Sequence, residues 1–180
     1  AEAEDITQEY CDLYDVIANE NLDCNISIKL THIGLALDKT IAADNLVRIL
    51  KQAQLYGNFL RIDMENSPYT QDSINLYQDY VSDYPNMGLV LQAYLKRSLE
   101  DVRTLNRPGF NTRVCKGIYD EPETIAFKDR AAIQDNFFNI TKEILSGDGF
   151  VAIATHDIPL IDHLEDWIES TQVPSDRFEF

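Results

Sequence analysis

Polar and charged side chains follow several short apolar segments of the chain, at the point where each segment ends. They are Lys29, Asp63, Gln92, Arg113 with Lys116, and Thr155 with His156. Such groups can form a Schiff base, orient an amine, or supply a fixed cation beside developing negative charge. Their recurrence after five consecutive segments indicates a site, provided that the fold brings the segment ends together.

Each of these residues, taken alone, has a structural explanation. An acid at a strand end, such as Asp63, is more often a solvated loop start or a helix cap. A lone strand lysine such as Lys29 is more often an edge charge. Gln92 could satisfy neighbouring backbone, and His156 could lie beside a helix N-cap, because Pro159 fits a first helical turn. The recurrence after five segments favours a functional site over five separate explanations.

The elements that must position these residues alternate along the chain. Strands are predicted at 25–31, 58–64, 88–94, 111–117 and 149–155, and FEF at 178–180 is the start of another. Helical faces are predicted for Ile6, Tyr10, Leu13 and Ile17, for Leu46, Ile49 and Ala53, for Ile74, Tyr77, Val81 and Tyr84, for Leu99 and Val102, for Ile133, Phe137, Ile140 and Ile144, and for Ile161, Leu164 and Ile168. Thr40, Thr70 and Ser98 are predicted N-caps, and Gly57 and Gly147 suit helix ends.

This alternation predicts a parallel α/β sheet. The strand starts are separated by the length of a strand plus a return helix, as repeated strand–helix units require. No GxGxxG and no GxxxxGK[ST] follows a strand, so the familiar phosphate loops of open doubly wound folds are absent. A (β/α)8 barrel is therefore favoured, and in such barrels the chemistry lies at the C-terminal ends of the strands.

The composition excludes several classes of function. At 180 residues, with 44% hydrophobic and 26% charged residues, the chain suits one globular domain with a sizeable core. The formal net charge of −16 argues against a nucleic-acid partner, which needs basic stripes. The three histidines and three cysteines lack metal-ligand spacing, so no metal is expected and the free thiols fit a reducing cytoplasm. No apolar run of about 18 residues could span a membrane.

Five motifs together resemble the proline dehydrogenase family. They are ISIKLTHIGLALD, LRIDMENSPYT, GLVLQAYLKRS, TRVCKGIYDEP and AIATHD, in this order and spacing. The likeness is closest to the monofunctional bacterial enzymes, extends to the matching domain of the bifunctional proline-utilising proteins, and covers nearly the whole chain. It implies that residues 1–180 are a partial catalytic domain, an incomplete (β/α)8 barrel of about strands 2–6 and the start of strand 7.

The resemblance also implies a reaction and its partners. Family members oxidise L-proline to Δ1-pyrroline-5-carboxylate by hydride transfer to FAD, the first step of proline catabolism to glutamate. The electrons then pass to a membrane quinone. The expected location is the cytoplasm, with peripheral membrane contact left open, and the oligomeric state is not predicted.

The family's functional positions carry over to named residues of this chain. By resemblance, Lys29 binds the substrate carboxylate, Asp63 has a direct active-site role, and Arg113 is a catalytic and cofactor-binding residue near the flavin N5 atom. The remaining FAD-binding positions implied by the resemblance are Met64, Gln92, Lys116, Gly117, Ile118, Tyr119, Thr155 and His156.

The chain departs from the family pattern in two ways. Cys115 and Ile118 stand where relatives commonly carry smaller or other aliphatic residues. The first barrel strand and everything after FEF are also absent, including the helix whose arginines bind the proline carboxylate in the family. We therefore expect the 180-residue chain alone to be inactive. Two alternatives stay open. One is an FAD-dependent dehydrogenase of a hydroxylated proline. The other is a protein of a different class, either a non-flavin barrel lyase that uses Lys29 as a Schiff base or an inactive fragment.

Overall fold

The computed structural model describes residues 2–180 as alternating helices and strands. The helices are α1 (Glu2–Asn19), α2 (Lys39–Leu55), α3 (Ser67–Tyr80), α4 (Ser98–Leu105), α5 (Arg130–Ser146) and α6 (Ile158–Thr171). The strands are β1 (Ile26–Ile28), β2 (Leu60–Ile62), β3 (Met87–Gln92), β4 (Asn111–Cys115), β5 (Phe150–Ala154) and β6 (Phe178–Glu179). They form one sheet in chain order, which confirms the predicted α/β class and the sixth strand at FEF.

Residue contacts divide the chain into two compact units, of which the first ends at Leu89 and the second spans Val90–Phe180. In the first unit β1 and β2 are parallel, with Ile28 opposite Ile62, and β2 is parallel to the start of β3, with Ile62 opposite Leu89. The core of this unit joins apolar residues of the strands to those of α1, α2 and α3. Its fully buried members include Tyr14, Ile28, Leu46, Ile49, Leu60, Ile62 and Tyr77. Burying one such side chain contributes about 1.5–3 kcal/mol.

The buried face of α1 differs from the predicted one. Leu13 was expected to face the core, but it is 47% exposed, whereas Tyr14 is fully buried. The Tyr14 hydroxyl donates a hydrogen bond to the Phe59 carbonyl at 3.0 Å, immediately before β2. A buried tyrosine is tolerated when its polar end has such a partner, and this partner is 45 residues away in the sequence. Ile17 is buried as predicted.

The second unit is organised around the parallel strands β4 and β5. All five residues of β4 pair with β5, from Asn111 opposite Phe150 to Cys115 opposite Ala154, and β5 pairs in parallel with β6. A short 3-10 helix, Ser175–Arg177, precedes β6. The Arg177 guanidinium donates to the carbonyls of Gly147 and Gly149 at 2.6–2.8 Å, which fixes the start of β6 beside the start of β5.

The predicted N-caps are wrong at all three positions. Asp38 caps α2 instead of Thr40, because its carboxylate accepts from the amides of Thr40 and Ile41 at 2.7 and 3.3 Å. Thr70 lies inside α3, which begins three residues earlier. The Ser98 hydroxyl donates to the Gln92 carbonyl at 2.6 Å rather than accepting from its own helix. Each threonine or serine has the right chemistry for a cap, but its neighbours decide where the helix starts.

The glycines predicted at helix ends are in place. Gly57 follows the last residues of α2 with a φ of 62°, in the left-handed region where glycine has no steric penalty. Gly147 is the C-cap of α5. Pro159 lies in the first turn of α6, as its fixed φ favours.

Candidate active site

Lys29 and Asp63 lie side by side just beyond the ends of β1 and β2. The last paired residues of these strands are Ile28 and Ile62, and the Asp63 amide still donates to the Ile28 carbonyl at 2.9 Å. Neighbouring strands are about 4.8 Å apart, so the backbones of Lys29 and Asp63 lie next to each other just past the last paired residues. Both residues are half-buried. The first unit therefore places a lysine and an aspartate at neighbouring positions at the carboxyl ends of its strands.

The segment after Lys29 is tied to the segment after Asp63. Glu65 is buried, and its carboxylate accepts from the Thr31 amide at 3.0 Å and from the Thr31 hydroxyl at 2.5 Å. A buried carboxylate is stable only when it is hydrogen-bonded, and both of its oxygens have a partner here. Glu65 thus ties together the two segments that follow Lys29 and Asp63.

Tyr10 of α1 also reaches this region. Burial, followed by the negative charge of Asp63, raises the pKa of the Tyr10 hydroxyl, and a hydrogen bond with the Lys29 backbone partly opposes the increase. The same hydroxyl lies 3.5 Å from Nδ1 of His32. The sequence pattern placed Tyr10 on the apolar face of its helix and gave His32 no partner, so both positions near Lys29 were missed.

In the second unit, Gln92 ends β3 and is buried. The chain after it continues alongside the end of β4, because the amides of Ala93 and Tyr94 donate to the carbonyls of Cys115 and Lys116 at 2.7 and 2.8 Å. The Asn136 side chain of α5 donates to the Ala93 carbonyl at 2.6 Å. These bonds hold Gln92 and Lys116 at neighbouring strand ends.

Arg113 lies in the middle of β4 rather than at its end, where the sequence pattern placed it, because the strand runs from Asn111 to Cys115. Burial alternates along this strand, with Thr112 and Val114 fully buried and Arg113 and Cys115 half-buried on the opposite face. The period of two is that of a strand with two distinct faces. Arg113 therefore shares a face with Cys115 rather than with the packed side of the strand.

Gly117 is required by the packing of Tyr94. Its φ is 108°, a conformation that side-chain-bearing residues rarely adopt. A Cβ atom at this position would lie 2.2 Å from Cδ1 of the Tyr94 ring, well inside contact distance. The Tyr94 ring is buried, and burial together with the nearby Glu121 carboxylate raises its pKa to about 12. The glycine thus lets β4 turn closely over a buried aromatic ring.

The two residues after Gly117 differ in environment. Ile118 is 87% exposed, which is unusual for a large aliphatic side chain, and Tyr119 is half-buried. Both predicted positions therefore lie on the segment that leaves β4.

Lys116 is bound by an aspartate that the sequence reasoning did not single out. The Asp157 carboxylate is 2% exposed and pairs with the Lys116 ammonium, with the Arg130 guanidinium at 2.9 Å, and with the Gln134 amide at 2.7 Å. The hydrogen bond from Lys116, then that from Arg130, lowers the pKa of Asp157 to about 2. The three donors cover the carboxylate, which otherwise lies near the surface of the unit.

An open pocket of about 420 Å³ lies beside this network. It is lined by Lys116, Arg130, Ala154, Thr155, His156 and Asp157. His156 is exposed and Thr155 is half-buried, so both polar groups reach the pocket. The second unit thus brings together three of the predicted residues, Lys116, Thr155 and His156, with Arg130 and Asp157.

The missed residues left weak signals in the sequence. Asp157 precedes Pro159, a pattern typical of an aspartate N-cap, and this explanation concealed its pairing with Lys116. Arg130 and Gln134 lie one helical turn apart, so they share a face of α5, but nothing in the sequence shows that this face meets β5. Only the contact between distant segments reveals the network.

Two further properties concern residues 2–180 as a whole. In this part of the chain, no group of three or more His, Cys, Asp or Glu side chains is arranged to hold a metal ion. Within the same residues, no helix combines the length and the apolar character needed to cross a membrane.

Comparisons with known proteins give the family. A family model described as proline dehydrogenase matches residues 1–180. The chain is 31% identical over 178 residues to "Proline dehydrogenase 2" and 33% identical over 180 residues to "Proline dehydrogenase 1", both of Bacillus subtilis strain 168. Each alignment covers 99% of this chain and 59% of the relative. The chain therefore spans less than two thirds of the length of these relatives.

Solved structures share the fold. Proline utilization A from Bdellovibrio bacteriovorus, inactivated by N-propargylglycine, superposes with a TM-score of 0.89 at 21% identity, over 99% of this chain and 24% of that one. The protein from Corynebacterium freiburgense superposes with a TM-score of 0.83 at 18% identity, over 98% of this chain and 22% of that one. These likenesses confirm the predicted (β/α)8-type fold class. With a family match over all 180 residues, the chain belongs to the proline dehydrogenase family.

Proposed function

We propose that this chain is part of an FAD-dependent dehydrogenase that oxidises L-proline to Δ1-pyrroline-5-carboxylate, the first step of proline catabolism to glutamate. The observation that carries the proposal is the family match over residues 1–180. The relatives from Bacillus subtilis are named for this activity. The Lys29 ammonium and the Asp63 carboxylate just beyond strand ends, together with the Arg113 guanidinium within β4, supply charges suited to a zwitterionic amino acid and a redox cofactor.

The pocket beside Lys116 fits the anionic part of a dinucleotide. Lys116 and Arg130 carry two positive charges against the single negative charge of Asp157, and Thr155 and His156 add further hydrogen-bonding groups. The remaining positive charge lies in a chain whose net charge is −16. Charged hydrogen-bond donors of this kind bind phosphate oxygens strongly.

We assign FAD to residues in β4 and at the strand ends. Those expected to hold it are Met64, Gln92, Arg113, Lys116, Gly117, Ile118, Tyr119, Thr155 and His156. When bound, FAD supplies the hydride acceptor, which no side chain of the protein can replace. FAD binding would also explain why Ile118 is 87% exposed, because an exposed aliphatic side chain offers apolar contact to a bound ring.

Substrate binding is assigned to the first unit. The Lys29 ammonium binds the proline carboxylate, and the Asp63 carboxylate holds Lys29 and orients the substrate amine. Glu65 and Thr31 fix the surrounding segments, so the charged pair needs little reorganisation when the substrate arrives.

Arg113 acts on the electron-transfer step. A guanidinium remains positively charged at every relevant pH, and a fixed cation stabilises the negative charge gained when a nearby ring is reduced. We therefore assign Arg113 a catalytic role. From the resemblance we further propose a quinone as electron acceptor, a cytoplasmic location with peripheral membrane contact, and a single catalytic domain that includes residues 1–180.

The absorbance spectrum tests the proposed function. The full-length protein that contains residues 1–180, purified with FAD, should show the bands of a bound flavin, and anaerobic addition of L-proline should bleach them. Full-length protein that gains no flavin on incubation with FAD would contradict the proposal. Trapping of a carbonyl substrate on Lys29 by borohydride, without flavin, would instead identify a lyase.

A further inference from the structure

The Asp157 side chain does not cap helix α6, although Asp157 occupies the N-cap position. It is the N-cap residue of α6, yet its side chain makes no hydrogen bond to that helix. The comparable residues Asp38 and Asp129 do cap α2 and α5, by accepting from backbone amides at 2.7–3.3 Å. An aspartate at an N-cap normally satisfies unpaired amides of the first turn. The Asp157 carboxylate is directed instead to side chains that line the pocket.

The partners of this carboxylate come from separate elements. Lys116 follows β4, whereas Arg130 and Gln134 belong to the first turns of α5. The carboxylate is 2% exposed, while the side chains of Lys116 and Arg130 are 32% and 71% exposed. Each cation therefore has one hydrogen bond to a buried anchor and keeps its other donors toward the pocket.

We infer that Asp157 is a positioning residue, whose buried carboxylate fixes the Lys116 ammonium and the Arg130 guanidinium at the wall of the pocket for binding a phosphate-bearing ligand. This inference rests on the proposed function, which supplies the diphosphate of FAD as that ligand. Long lysine and arginine side chains lose much rotamer freedom on binding, and a fixed partner removes part of that cost beforehand.

If Asp157 only compensated the charge of Lys116 and Arg130, its removal would change phosphate affinity in the opposite direction. A carboxylate beside an anion site repels the anion, so a residue that only compensates charge would weaken phosphate binding, and its removal would strengthen it. A positioning carboxylate has the reverse effect, because its loss leaves Lys116 and Arg130 free to adopt other rotamers. The direction of the change therefore separates the two roles.

The experiment measures, by flavin fluorescence, the affinity of the full-length protein that contains residues 1–180 for FAD and for riboflavin. Riboflavin lacks phosphates and serves as the probe that does not need the two cations. Asp157→Asn should weaken FAD binding by about tenfold or more, which equals a loss of about 1.4 kcal/mol, with less than about twofold change for riboflavin. Asp157→Glu keeps the charge but moves it by one methylene, and it should also weaken FAD selectively. The matched control is Asp162→Asn, which removes the same charge from the exposed face of α6.

A second readout does not depend on flavin. Acetylation of Lys116, followed by mass spectrometry, should be about threefold or more faster in Asp157→Asn, because the Lys116 side-chain nitrogen is no longer held against the buried carboxylate by a charged hydrogen bond. Unchanged or tighter FAD binding in Asp157→Asn, or unchanged affinity in a folded Asp157→Glu variant, would overturn the inference. Wild-type protein that binds no FAD would overturn the proposed function instead, and the Lys116 acetylation rate would still decide whether Asp157 holds that lysine.

Discussion

The two carboxylate oxygens of Glu65 bind one residue, Thr31, through its backbone amide at 3.0 Å and its hydroxyl at 2.5 Å. Thr31 lies two residues after Lys29, and Glu65 lies two residues after Asp63. The pair therefore repeats, two residues further along each segment, the side-by-side arrangement of Lys29 and Asp63. This contact stiffens both segments where they leave the sheet.

Removal of the Glu65 carboxylate should destabilise the fold. Glu65→Ala leaves the Thr31 amide and hydroxyl without this buried acceptor, and we expect a loss of about 2–4 kcal/mol in the free energy of unfolding. Urea denaturation measures the change. The control Glu9→Ala removes an acid from the exposed surface of α1 and should change stability by less than about 0.5 kcal/mol. Equal effects of the two substitutions would contradict the buried role of Glu65.

Lys29→Ala should affect ligands according to their carboxylate. In the flavin-loaded protein we expect weaker binding of proline and of a carboxylate-bearing competitive inhibitor, by about 1.5–3 kcal/mol for a charged hydrogen bond. An analogue without the carboxylate should lose little affinity. The control Lys39→Ala removes a lysine that pairs with Asp72 at the surface, and it should leave both ligands unaffected. Equal losses for both ligands in Lys29→Ala would indicate a structural lysine.

Arg113→Ala should slow reduction of the flavin. Loss of a preorganised donor at developing negative charge typically costs about 2.7–4 kcal/mol, or about 10²–10³ in rate. The flavin reduction potential should fall as well, because the reduced ring loses a stabilising cation. Stopped-flow absorbance and a redox titration measure the two effects. Arg107→Ala, at an exposed position of the loop before β4, is the matched control, and a reduction rate in Arg113→Ala equal to that control would exclude the assigned role.

Gly117→Ala should be more costly than alanine at another glycine of positive φ. A methyl group at 117 meets the buried Tyr94 ring at 2.2 Å, whereas nothing lies within 4 Å of a Cβ at Gly57, where φ is 62°. Both substitutions incur backbone strain of about 1–2 kcal/mol. Overpacking should add about 1–3 kcal/mol at 117 alone. Thermal or urea unfolding compares the two variants. Equal destabilisation would show that the Tyr94 ring can move aside without loss of stability.

Asp157 should contribute stability that acid removes. Its pKa is lowered to about 2, chiefly by the hydrogen bond from Lys116, from an ordinary value of 3.8. A lowered carboxyl pKa stabilises the folded state fully above the ordinary value, and the contribution is lost as pH falls from about 4 through 2. The stability difference between wild type and Asp157→Asn should therefore shrink across that range, by at most about 2 kcal/mol. A difference independent of pH would contradict the ion pair.

The order and type of the elements could be predicted because each has a local signal. Alternating apolar runs and helical faces located all six strands and the helices between them, and Gly57 and Gly147 marked two helix ends correctly. The inward turn of Tyr14 could not be predicted, because it depends on the Phe59 carbonyl from a distant segment. Local chemistry likewise suggested Thr40 as a cap, although Asp38 two residues earlier is a better acceptor.

The candidate site was predictable in part for the same reason. Its strand-end residues, such as Lys29 and His156, follow from where the apolar runs stop. The supporting residues Glu65 and Asp157 could not be predicted. In the sequence they resemble an ordinary loop acid and an N-cap acid, and only their partners Thr31 and Lys116 reveal their role. Partners 34 and 41 positions away in the chain have no local signature.

Because Tyr94 and Gly117 are in contact, the residue tolerated at one position depends on the residue at the other. Alanine at 117 collides with the tyrosine ring, so a screen that changes one residue at a time would score position 117 as intolerant. A smaller apolar side chain at 94 would remove the atoms that the new methyl group meets, and the double variant should then be more stable than the sum of the single changes predicts. A library that varies both positions together would thus recover sequences that separate libraries discard.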